Sequence, residues 1–132
     1  MIGTFQQSHL RIEVNAERDR LKACFTDPKL LKKWLTFQRF PADLPDTLAV
    51  GNQFLSLAGG AVPVSHKVEL LEGDRIRFTL SQGIDGFHEW AWGDGWVQSR
   101  IEGVSWLPIN VGQSLSLLCL KQFLSQEVEA VG

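Results

Sequence analysis

Two histidines sit in apolar-alternating stretches, and they are the side chains of this chain best suited to chemistry near neutral pH. His66 belongs to VPVSHKVELL and His88 to GFHEWAWGDGWVQSRIEGV. An unperturbed imidazole titrates between pH 5 and 8, so either ring can hydrogen-bond a ligand or act as a general acid or base. His88 and His66 are therefore the candidate catalytic residues, set against the plainer reading of half-buried histidines satisfied within a core. His9 alternates with Leu10 onto the wet face of the first strand, and the three histidines have no metal-ligand spacing, so no metal site is assigned. Gly-x-Ser-x-Gly does not occur. Neither Cys24 nor Cys119 has a sequence neighbour that would lower its pKa, and both are read as buried thiols. Nothing in the pattern asks for a cofactor.

The elements that position these groups centre on a hairpin. Asp94-Gly95 is the strongest turn signal, because a type I′ turn needs positive φ at both central positions and Asp-Gly tolerates it. A loop there pairs Trp92 with Val97, Trp90 with Ser99, Glu89 with Arg100 and His88 with Ile101. One face then holds His88, Trp90, Trp92, Val97, Ser99 and Ile101. The other holds Phe87, Glu89, Ala91, Gln98, Arg100 and Glu102, with Glu89 and Arg100 as opposite charges directly across the strands.

An aromatic face with one titratable group suits a ligand chamber, with a filled core as the competing expectation. The expected walls are Phe54, Phe78, Trp90, Trp92 and Ile101, since each indole can remove on the order of 150 to 250 Å² from water and keeps one N–H donor. His66, His88, Ser99 and Ser116 are the polar anchors, and Leu115, Leu118 and Phe123 the roof. The expected partner is a small hydrophobic or aromatic molecule.

Around the hairpin, residues 5–14 alternate as a strand, with Leu10, Ile12 and Val14 on one face. Asn15 stands as N-cap of a helix carrying Leu21, Cys24 and Phe25. Asp27 and Pro28 start a second, with Leu30, Leu31, Trp34 and Leu35 inward and Lys29, Lys32 and Lys33 outward. Residues 36–50, with Pro41 and Pro45, read as an irregular connection that could serve as a lid. Three strands follow, in NQFLSLA, VPVSHKVELL and RIRFTLS. Val62, Val64, His66, Val68 and Leu70 share one face, and Ile76, Phe78 and Leu80 another. The last run, VGQSLSLLCLKQFLSQEVEA, is long enough for a helix of about 30 Å. Only Lys121 is charged between Leu107 and Gln126, so this helix is expected across the concave face of the sheet and covered on most sides.

Composition sets the outer bounds. The 132 residues read as one domain, residues 1–132, able to bury roughly two-thirds of its unfolded surface without disulfides. Thirteen basic and fifteen acidic side chains, mixed along the chain, leave no electrostatic footprint for nucleic acid. The second helix's lysines fall short of a membrane-holding cluster. No apolar run spans a bilayer and MIGTFQQSH lacks a signal-peptide pattern, so the expectation is a cytoplasmic protein without integral membrane association.

This order of elements, a strand, two short helices, a run of antiparallel strands and a long apolar helix, resembles the α+β helix-grip fold of the START-like (SRPBCC) superfamily. That superfamily includes Bet v 1-type proteins, polyketide cyclases/dehydrases and activator-of-Hsp90 homologues. The resemblance is carried by IEVNAERDRLKACFTDPKLLKKWL, VGNQF, VELLEGDRIRFTL, and the closing hairpin with its helix ending LKQFL. Where many relatives open the last strand with Gly-Thr, this chain has Gly95-Trp96-Val97-Gln98, so no subfamily activity transfers. The resemblance implies a cavity between sheet and last helix that binds hydrophobic molecules, and no shared catalytic residue. Three functions are compatible with it: a ligand carrier, a cyclase/dehydrase or isomerase using a cavity histidine, and a protein-interaction module.

Overall fold

Period-2 alternation in this chain resolves into one antiparallel sheet. Its strands are β1 (Thr4–Glu13), β2 (Gln38–Arg39), β3 (Gln53–Ala58), β4 (Val62–Glu72), β5 (Arg75–Gln82), β6 (Asp85–Gly93) and β7 (Trp96–Ser105), in the order β1-β7-β6-β5-β4-β3-β2. Helices α1 (Arg18–Thr26) and α2 (Pro28–Trp34) follow β1, and α3 (Ile109–Val131) follows β7 and packs on β1, β7 and α2. The computed structural model describes residues 3–131. Seven strands around a long C-terminal helix make the helix-grip architecture that the element order implied.

The β6–β7 register is the expected one, with His88 opposite Ile101, Trp90 opposite Ser99 and Trp92 opposite Val97. The turn type differs. Only Gly95 has positive φ, 84°, and Asp94 does not. The reason is tertiary: Val14 N–H donates to Gly95 O at 3.0 Å, Gly95 N–H to Ala16 O at 2.9 Å, and Arg18 N–H to Asp94 Oδ1 at 2.8 Å. Asp94 thus satisfies an orphan N–H of α1 from across the fold. Asn15 is not the cap, and Glu17, which holds that position, makes no side-chain cap bond. By contrast α2 starts as expected, with Pro28 in its first turn and Asp27 Oδ1 accepting from Lys29 N–H at 2.9 Å.

Three other expectations change. Between Val68 and Leu70 the β4–β5 register shifts, so Leu71 pairs with inward Ile76 and Leu70 with Arg77. A bulge adds one residue and inverts the parity beyond it, which moves Leu70 off the inner face. Residues 36–50 include β2, paired to β3, and buried Leu48 donates its N–H to Thr26 O at 2.9 Å, so the segment is tied down at both ends. On the outer face Glu89 pairs with Arg77 at 2.7 Å, while Arg100 turns to Glu102 at 3.0 Å; Glu89 has an arginine opposite it on each neighbouring strand, and Arg77 takes it.

Over residues 109–126 helix α3 is covered on one side only, not on most sides as expected. Gln113, Leu117, Leu120 and Leu124 recur at i, i+4, i+7 and i+11 and are buried, whereas Val111, Leu115 and Leu118 face outward, Leu118 at 58% exposure. At the opposite end of the core, α1 and α2 plug the sheet with aromatic rings. Phe25 stacks on Trp92 at 5.1 Å and meets Trp34 edge-on at 5.7 Å, and the Trp34 indole N–H donates to Cys24 O at 2.9 Å. Such ring pairs add about 0.5–1.5 kcal/mol each beyond their burial. Cys24 is buried as expected, but Cys119 is only half-buried. Among the described residues, no helix is long and apolar enough to cross a membrane.

Candidate functional site

The two inward histidines stand on either side of Phe78. Strand pairing places Phe54 of β3 against His66 of β4, and the rings stack at 5.0 Å, 5° from parallel. Phe78 meets His66 edge-on at 5.5 Å and is itself the register partner of His88. His88 stacks on Trp90 at 4.5 Å. The inner wall is thus a row of rings from four strands, the geometry that parity along β3, β4, β5 and β6 requires.

Each histidine has one ring nitrogen held. The His66 Nδ1 lies 3.2 Å from Val64 O, and since a carbonyl only accepts, Nδ1 carries the proton and Nε2 a lone pair. His88 Nε2 lies 2.7 Å from Ser99 Oγ. The Ser99 hydroxyl is fully buried, and its other side-chain neighbour is the Gln113 amide, whose Nε2 donates to Ser99 Oγ and Ser99 O at 3.0 Å each and to Ser8 O at 3.2 Å. Ser8 Oγ in turn donates to Gln113 Oε1. With the Gln113 amide donating to its oxygen and no other acceptor beside it among the described residues, the Ser99 proton has His88 Nε2 as its acceptor, since a buried donor left unpaired costs about 1–3 kcal/mol. His88 therefore carries its own proton on Nδ1. Among the described residues neither His66 Nε2 nor His88 Nδ1 has a hydrogen-bond partner.

Burial keeps both rings neutral. It pushes His66 down to about 4, partly offset by the Val64 hydrogen bond, and pushes His88 down to about 3, where repulsion from a charged His66 adds to it. An imidazole with so low a pKa is a weak base at pH 7 and a poor proton reservoir.

The rings border an internal cavity of about 30 Å³, shared with Phe40, Gln38 and Ser116 among others. Among the described residues no carboxylate, lysine or arginine lines it. Outside lies a groove of about 530 Å³, bounded by Arg39, Pro45, Leu55 and Leu57, and both spaces share Phe40 and Phe54 as walls. These two rings, 5.8 Å apart, form the partition between them.

Six of the expected residues, Phe54, His66, Phe78, His88, Trp90 and Ser116, come together on the cavity. The others do not line it. Trp92 is core, stacked on Phe25 and with its indole N–H unpaired, and Ile101 is buried core as well. Ser99 acts from behind His88. Leu115 and Leu118 are solvent-facing rather than a roof, and Phe123 is half-buried, with the Arg20 guanidinium 5.8 Å over its ring. Three contributors went unnamed in the sequence reading: Gln38 and Phe40 in the lid segment, and Gln113. The last had a signal, a lone amide in register with Leu117, Leu120 and Leu124.

No family model matches the sequence, and neither does any curated protein. Solved structures do. Protein CV1439 from Chromobacterium violaceum is 21% identical with a TM-score of 0.69, over 89% of this chain and 96% of that one. An AHSA1-like protein from Aeromonas hydrophila is 17% identical with a TM-score of 0.68, over 92% and 94%. The Aha1 dimer from Colwellia psychrerythraea gives 17% and 0.64, over 90% and 96%. At such identities the likeness speaks for architecture alone, and with the sheet order and the gripped C-terminal helix it shows that this chain has the helix-grip fold of the START-like (SRPBCC) superfamily.

Proposed function

We propose that this protein binds a small, uncharged hydrophobic or aromatic molecule between its sheet and α3, as a carrier or sensor. The observation that carries the reading is the pair of inward histidines, His66 buried and His88 half-buried, each stacked on an aromatic ring and each, among the described residues, with one ring nitrogen unpartnered on a cavity bordered by no charged side chain. Burial of ring faces supplies affinity and the two nitrogens supply orientation. The inner cavity is small, so the ligand reaches it by displacing the Phe40–Phe54 partition and drawing on the outer groove. Acid–base catalysis is less well supported, because histidines near 3 and 4 are mismatched to proton transfer at neutral pH.

Native mass spectrometry of protein from its own host, paired with tryptophan fluorescence, tests this. A co-purified small molecule, with Trp90 emission responding to aromatic compounds, is the expected result. A clean mass and no response across a broad aromatic and lipid-like library would overturn it.

A second reading, an interaction module, is favoured by one observation: Trp106, Val111 and Leu118 are each more than half exposed near or along α3. Leu118→Lys would abolish partner capture under that reading and leave ligand response untouched under the first.

A further inference from the structure

We infer that the two histidines together read a hydroxyl group on an uncharged aromatic ring, a phenol-type ligand, with His66 Nε2 accepting its proton and His88 Nδ1–H donating to its oxygen. The inference rests on the apolar-ligand reading above and narrows it.

Hydrogen-bond valence singles out this group. Val64 O forces the His66 proton onto Nδ1, which leaves Nε2 as an acceptor. The Ser99–Gln113–Ser8 chain makes His88 Nε2 the acceptor of the Ser99 proton, which leaves Nδ1–H as a donor. Had both rings been held the same way, the cavity would show two acceptors or two donors. The two rings instead offer one of each, and a hydroxyl, which both donates and accepts, is the group whose hydrogen bonding matches that pair. A carbonyl or ether oxygen would leave His66 Nε2 unpaired, and a carboxylate would face that lone pair with no cation to offset it.

Size agrees. At about 30 Å³ the inner cavity has room for a water-sized group such as a hydroxyl and not for a ring. The ring belongs at the Phe40–Phe54 partition, where its faces would meet aromatic walls and its far edge the outer groove. Substituents on that far edge have about 530 Å³ of open groove to occupy.

The test uses the wild-type protein and four probes of nearly one shape: phenol, anisole, toluene and benzoate. Fluorescence titration and histidine ¹⁵N spectra are recorded at pH 7. The expected result is a free protein with both histidines protonated on Nδ1, and phenol binding at least about tenfold tighter than anisole or toluene, with benzoate weakest. Phenol should move the His66 Nε2 and His88 Nδ1 signals. In His66→Phe, whose ring can keep the stack on Phe54, phenol should lose its lead over anisole. Equal binding of phenol, anisole and toluene would overturn the hydroxyl assignment while the apolar-ligand reading stands, as would an Nε2-protonated His66 or His88. Binding of none of the four, nor of larger phenols, would remove both.

Discussion

His66 and His88 share a cavity, a low pKa and a stacked aromatic neighbour, yet they are held by different kinds of structure. His66 is fastened to Val64, two residues away on its own strand, by one hydrogen bond to a backbone carbonyl. His88 is fastened through Ser99 on β7 to Gln113 on α3 and Ser8 on β1, so three elements must be in place before its ring is oriented. The first anchor forms as soon as β4 does. The second exists only in the assembled fold, where α3 meets the edge of the sheet. The lesson is that tautomer and orientation at one site can be set locally on one side and globally on the other, and the two sides should fail differently.

The largest way to expose that difference is pH. Above about 6.5 both imidazoles are neutral in the folded and the unfolded chain, and they make no pH-dependent contribution. As pH falls below 6.5 the unfolded chain takes up protons that the folded chain refuses, so stability falls, down to about pH 4 for His66 and about pH 3 for His88. With each pKa unit worth about 1.4 kcal/mol, urea unfolding from pH 7.5 to 4 should show a loss of several kcal/mol. His66→Phe should remove part of that loss and also raise the His88 pKa, because the repulsion between the rings is gone. A stability flat over this range would mean that neither ring is desolvated.

Next comes Gln113→Leu, which leaves Ser8 O, the Ser8 hydroxyl and the Ser99 side chain short of partners. A loss of about 2 kcal/mol at pH 7 is expected, together with a change in the His88 tautomer and none in His66. Urea titration and ¹⁵N spectra read the two effects, and a His88 signal indifferent to Gln113 would break the distinction between the two anchors.

His66→Phe at pH 7 should be milder, about 1 kcal/mol, since the rings of Phe54 and Phe78 remain to be packed against and only the bond to Val64 O is lost. A loss above about 3 kcal/mol would show that His66 is as globally anchored as His88. The control outside the site is Asp94→Ala. It removes the cap supplied to α1 and should cost about 1 kcal/mol in urea titration without moving either histidine signal.

The residues that sequence reading placed correctly share one property: their environment follows from near neighbours in the chain. The hairpin from Gly86 to Val104 could be assigned residue by residue because a two-residue loop fixes register, and register fixes the face. Asp27-Pro28 announced α2 for a similarly local reason. Misplacements occurred where a local rule met a distant partner. Asn15 is a good cap by type, but Asp94 reaches Arg18 N–H first. Leu70 obeyed alternation until a bulge reversed it.

The amino-acid sequence by itself determined the strand periodicity, the aromatic inner wall with His66 and His88 on it, and the order of elements that makes a sheet grip a helix, because these depend on repeats of two and 3.6 residues that the backbone imposes. Only the tertiary structure decided that Leu115 and Leu118 face away from the sheet and Gln113 toward it, that the cavity holds about 30 Å³, and that one histidine offers a donor and the other an acceptor. An apolar helix has no preferred face until something packs on it. A ring nitrogen has no role until a partner from another element takes up its neighbour.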